Sequence, residues 1–140
     1  MEFFAASTDE AAAAVVDRGP GPDFETLDCG IFDVIGAMIA WESFFTGRSV
    51  RDLIGADEPR VVADPCDGGP VVFAASKPLQ HALTVADQSR ISEVADLWVR
   101  ELAVQDEVFE PAAAVAVLTG LAHLARTAAV KDDRLYCWLA

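Results

Sequence analysis

Positive charge is scarce in this chain. Ten Lys and Arg stand against 23 Asp and Glu among 140 residues, a formal net charge of -13, and only Lys77 and Lys131 are lysines. A field of that sign repels phosphates and anionic lipid headgroups, so no nucleic acid and no membrane surface is expected as a partner. It attracts a basic protein surface or a cationic ligand. Cysteine is nearly missing too. Cys29, Cys66 and Cys137 are odd in number and lack paired spacing, which excludes a disulfide framework and a zinc knuckle. His81 and His123 are the only histidines, too few to complete a metal site, so neither metal nor cofactor is expected. The opening MEFFAAS has no basic region and no long apolar run, which reads as a cytoplasmic chain rather than a secreted one. Also missing are a glycine-rich phosphate loop with a following lysine, a dinucleotide fingerprint and a nucleophile elbow. The glycines of Gly19-Pro20-Gly21-Pro22 alternate with prolines that carry no amide, so they make a poor phosphate cradle.

What is present is apolar surface. Hydrophobic residues make up 53% of the chain, enough for the core of one domain. The longest helical pattern is Leu27 to Gly47. Ile31, Val34, Met38, Trp41 and Phe45 form one stripe, with Phe32, Ile35 and Ile39 beside it. So wide an apolar face predicts a helix buried among other elements. Asp28 is placed to cap it and Gly47 to close it. Gly36 and Ala40, one turn apart, would let another backbone come close. Asp33 and Glu42 interrupt the run, and it is too short to span a membrane.

The other elements follow from punctuation. Met1–Ala6 reads as a strand, and Ser7-Thr8-Asp9-Glu10 as a reciprocal capping box opening a helix to Arg18. Ser49 starts a short helix to Ile54. Residues 60–63 and 70–75 read as a hairpin, the second strand buried on both faces. Ser76-Lys77-Pro78 opens a short helical turn, and Thr84 or Asp87 a longer helix striped by Ile91, Val94, Trp98 and Leu102. Pro111 opens a last helix with Ala114, Leu118, Leu121, Ala125 and Ala128 inward, and Arg134–Ala140 is a closing strand. The fold class expected is α+β: a small mixed or antiparallel sheet packed with about four helices around the buried central one, the two terminal strands adjacent.

Chemistry-bearing residues are few. Cys66 lies in a glycine-rich turn, but Asp64 and Asp67 beside it oppose a thiolate. Glu42 follows Trp41 on the most apolar helix, so it must reach an edge, pair with an arginine or face a cavity. Arg48, Arg51, Arg100 and Arg126 are available to it. Glu101, one turn after Trp98, and His123 could join it; convergence of the three would make acid–base or metal chemistry credible. Trp41 and Trp98 are the aromatic candidates for lining a ligand pocket, and His81 is the histidine nearest Cys66 in sequence. Tyr136 and Trp138 share one side of the last strand, and packing there is preferred to display.

The strand and Ser7–Glu10 opening, Leu27-Asp28 leading to Phe45-Thr46-Gly47, Gly69–Phe73, the segment from Thr84 to Val94-Ala95 and the alanine-rich final helix together resemble the YfbM-like family of small bacterial proteins. The resemblance implies an α+β fold and supplies no chemistry. Taken together, the sequence points to an acidic module that binds a basic protein, as an immunity or accessory protein does. A small enzyme or ligand binder using Glu42, and a homodimer, are the alternatives.

Overall fold

The computed structural model describes residues 1–65 and 68–140. Among these residues β1 (Glu2–Ala6), β2 (Thr26–Asp28), β3 (Arg60–Ala63), β4 (Val71–Ala74) and β5 (Arg134–Leu139) form one antiparallel sheet in the order β2-β1-β5-β4-β3. Strand β1 is followed by helix α1 (Asp9–Ala13), a 3-10 turn at Gly21–Asp23 and strand β2. Helices α2 (Val34–Thr46) and α3 (Val50–Gly55) lead to the hairpin β3 and β4. Helices α4 (Lys77–Val85), α5 (Gln88–Val104) and α6 (Pro111–Val130) precede strand β5. The architecture is α+β as expected, with six α-helices among the described residues rather than about four.

Strand alternation explains the layers. Phe3, Phe73, Leu135 and Cys137 point into a large core shared with α2, α4, α5 and α6. Phe4, Ala6, Val72, Ala74 and Tyr136 point to the opposite face, where Ala12, Val16 and Phe24 cover them. The period of two is thus spent on two apolar layers, which is why β4 and β5 read as continuous hydrophobic runs. The terminal strands do pair: Phe3 stands opposite Cys137 and Phe4 opposite Tyr136. The aromatic pair of β5 is packed. Tyr136 Oη donates to Asp9 at 2.7 Å, and Trp138 Nε1 donates to the Val16 carbonyl at 2.8 Å.

Helix α6 buries seven side chains, more than any other, and meets α4, α5, β1 and β5. Its length and mean hydropathy of 1.5 would let it cross a membrane, but here it is a core helix, and all five residues expected to face inward are buried. Gly120 permits its close crossing of β2: a Cβ there would stand 2.9 Å from the Leu27 methyls. Helix α2 packs on α3, α4 and α5 and reaches the sheet through Trp41, whose ring centroid is 6.1 Å from that of Phe3.

Local expectations are corrected at two starts. Helix α2 does not begin at Asp28. The Asp28 carboxylate accepts from the Gly30 amide at 2.9 Å and holds a turn, so the segment before it is free to pair as β2. The helix is capped instead by Asp33, whose carboxylate accepts from the Gly36 amide at 3.1 Å. Ile31, expected inward, is therefore 99% exposed, and Ile35 is exposed as well. Helix α1 is capped by Thr8, not Ser7, which moves Glu10 out of the position a reciprocal box requires, and the helix ends at Ala13 rather than Arg18. Gly47 closes α2 as expected, at φ 80°, with its amide donating to the Ser43 carbonyl.

Candidate functional site

Glu42 is buried and committed. Its Oε1 accepts from the Ser76 hydroxyl, and its Oε2 accepts from Arg48 Nη1 at 3.1 Å. The Ser76 oxygen in turn accepts from the Leu79 amide at 3.1 Å, capping α4. One carboxylate therefore locks the C-terminal end of α2 to the start of α4, with the charge neutralised by an arginine at the rim. Met38, Ile39, Pro59 and Leu79 close around this group and leave no room for a water molecule. Glu58 lies beside it, and burial together with the Glu42 charge pushes its carboxyl above the usual range. Of the three outcomes open to Glu42 in sequence, the structure shows the arginine pair, and the side chain borders no usable space.

The other candidates are dispersed. His123 projects from α6, with Nε2 3.9 Å from a Glu25 oxygen and its side chain 75% exposed. His81 lies in a shallow depression of about 320 Å³ with Lys77, Asp132, Asp133 and Arg134, a mixture of both signs. Glu101 is exposed on α5. Glu42, Glu101 and His123 line no common cavity. Cys66 lies outside the described residues. Cys29 and Cys137 are free thiols pushed up to about 12, chiefly by burial, and neither has thiolate character at neutral pH. Among the described residues, no three His, Cys, Asp or Glu gather to hold a metal ion. Trp41 is fully buried in an aromatic cluster, its ring centroid 5.0 Å from that of Trp98, and its indole N–H finds no acceptor.

Trp98 does reach a hollow. A cleft of about 260 Å³ opens between α2, α3 and the end of α5. Its walls are built from local signals. The Asp33 cap starts α2 at the cleft, and Gly36, Ala37 and Ala40 present a low surface along it. A Cβ at Gly36 would stand 2.5 Å from an Asp33 carboxylate oxygen, so a larger residue there would have to displace the capping side chain. Helix α3, capped by Ser49, contributes Val50 and Ile54, which are 46% and 58% exposed. Helix α5 contributes Trp98, Glu101, Leu102 and Gln105. Beyond it Asp106 turns left-handed at φ 61°, and the Glu107 amide donates back to the Leu102 carbonyl at 2.8 Å. That turn brings Glu107 to the rim.

The electrostatics are one-sided. Asp33, Glu101 and Glu107 line the cleft, and no Lys, Arg or His does. Of the arginines on the helices that build the cleft, Arg100 pairs with Asp96 at 3.0 Å and Arg90 with Glu93 and the Phe44 carbonyl, while Arg51, beside Val50 on α3, is exposed and does not line the cleft. The last turn of α5 carries no basic residue to offset the negative pole of its carbonyls. The cleft offers apolar walls and a carboxylate rim, a lining suited to holding an apolar group that carries positive charge beside it. The sequence marks two of its parts, the Gly36–Ala40 step as a place where another backbone can come close and Glu101 as a candidate acid, but does not bring them together. Comparison with family profiles, curated proteins and solved structures found no match to this chain.

Proposed function

We propose that this chain is a non-enzymatic interaction module that binds a basic protein through the cleft between α2, α3 and α5. One observation carries the reading: exposed Val50 and Ile54 stand beside Asp33, Glu101 and Glu107 with no cation among the lining residues. Apolar contact supplies affinity, and the carboxylates select sign and speed encounter. The net charge of -13 extends the same field over the whole molecule. A second copy of this chain fits the cleft poorly, because a two-fold contact would set Asp33, Glu101 and Glu107 against the same carboxylates. A small-molecule role for Glu42 loses its support, since that side chain meets Ser76 and Arg48 and borders no usable space.

The test is site-specific photo-crosslinking in the cells that make the protein. A crosslinker replacing Ile54 should capture a basic protein, and capture should fall when Glu101→Lys and Glu107→Lys are added. A crosslinker replacing His123, which is exposed but outside the cleft, should not capture it. Equal capture from both positions, or an acidic captured protein, would overturn the proposal.

A further inference from the structure

The reading of the cleft as a docking face leads to the shape of what docks. We infer that the partner presents a basic amphipathic α-helix, seated on the Gly36–Ala40 step with an apolar side chain against Val50 and Ile54. This rests on the proposed function and adds a conformational requirement to it.

The space itself argues for side chains rather than a small ligand. About 260 Å³ lies below the roughly 300–1,000 Å³ of sites that enclose a drug-sized molecule. It suits one or two anchoring side chains from a body that stays outside. The secondary structure of the walls decides which body. All three walls are helices, α2, α3 and α5, whose backbone groups bond within themselves. An extended segment gains affinity by pairing with a free strand edge, and no strand contributes to the cleft. Laid there, an extended segment would desolvate its own amides without partners. A helix brings those bonds already made.

The floor fits that shape. Gly36 and Ala40 are four residues apart, so they lie on one ridge of α2, and their small side chains let a ridge of another helix settle closely. Val50 and Ile54 have the same spacing on α3 and stand as an exposed apolar bank. Charge sets the remaining face. Lys and Arg stems can lie along apolar surface while their heads reach Glu101 and Glu107. The unbalanced carbonyl pole of α5 adds to the attraction.

The experiment uses the full chain and labelled peptides of roughly 18 residues, about five helical turns. One is a Leu/Lys amphipathic helix. A second has the same composition with two central residues exchanged for proline, and a third has Glu in place of every Lys. Anisotropy titrations should show saturable binding of the first, at least about tenfold weaker binding of the second, and none of the third. General attraction to an acidic protein is separated by Ala40→Leu, which fills the step without changing charge and should also weaken the first peptide about tenfold. Glu101→Gln is an exposed exchange that should weaken it less and reduce its salt dependence. The thermal midpoint of each variant is measured alongside.

Equal binding of the proline peptide would overturn the helical requirement while leaving a basic partner at the cleft. Ala40→Leu with an unchanged midpoint and unchanged affinity would remove the cleft as the docking face, and the proposed function with it. If the basic helix fails to bind while crosslinking at Ile54 captures a basic protein, the helical requirement alone falls.

Discussion

Arg48 is the residue on which the buried charge of Glu42 depends. Its guanidinium is 40% exposed, so solvent shares the work, yet the carboxylate it meets is only 3% exposed. Truncation to Ala leaves Glu42 with the Ser76 hydroxyl alone. Arg48→Ala should cost about 2 kcal/mol, seen as a lower urea midpoint at unchanged slope, and Arg48→Lys should recover part of it. On the other side of the sheet, hydrogen bonds from Arg60, at 2.9 and 3.2 Å, and from Tyr136 hold the Asp9 carboxyl below its ordinary value. A depressed carboxyl stabilises the fold above its unfolded value, near pH 4, and that contribution is lost as pH falls through the folded one. Glu58 has the opposite sign. Its raised value makes stability fall as pH rises from the unfolded value of 4.5. Asp9→Asn should therefore flatten the loss of stability on the acid side, and Glu58→Gln should stabilise more at pH 7 than at pH 4. Urea midpoints across that range separate the two.

Helix ends hold the elements in place. Ser49, Ser76 and Asp87 each cap a helix with a side-chain oxygen at the position the sequence marks. C-terminal ends are met from neighbouring helices instead. Arg90 of α5 donates to the Phe44 carbonyl at 2.6 Å, and Arg126 of α6 donates to the Thr84 and Ala86 carbonyls at 3.2 and 2.5 Å. Arg126, offered by sequence as a partner for Glu42, is spent on carbonyls that carry the negative helix pole, and Arg90 divides its guanidinium between such a carbonyl and Glu93. Gly47 ends α2 in the left-handed region just before Arg48. Gly47→Ala should cost about 1 kcal/mol from backbone strain alone, read by thermal denaturation. A greater loss would mean that the Arg48–Glu42 pair moves with the turn.

At the scale of the molecule the charge is the dominant quantity. Four arginine–carboxylate pairs among the described residues leave most of 23 carboxylates without a cation, and their mutual repulsion opposes the compact state. Raising KCl from low ionic strength to about 0.2 M shortens the screening length to below 10 Å and should raise the thermal midpoint. The same salt should slow association with any basic partner. Stability and binding are expected to respond to salt in opposite directions, which one titration of each can check.

Periodicity determined much of this protein from sequence alone. The α5 and α6 stripes, the β3–β4 hairpin and the packed aromatic pair of β5 follow from local spacing that repeats regularly along one element, and a strand at each end of the chain invites the pairing of β1 with β5. Strand β2 was not legible. Three residues carry no period, and Asp28 before an apolar stretch looks the same whether it caps a helix or holds a turn. Ile31 shows the cost of that ambiguity, since a helix start displaced by five residues turns an inward position into an exposed one. Glu42 could be flagged by its polarity in an apolar helix, but its partner could not be chosen among four arginines, because that choice depends on how α2 meets α4. The cleft lay beyond sequence for the same reason. Gly36 and Ala40 announce that something comes close, while only the packing of α3 and α5 decides that this chain leaves the step uncovered.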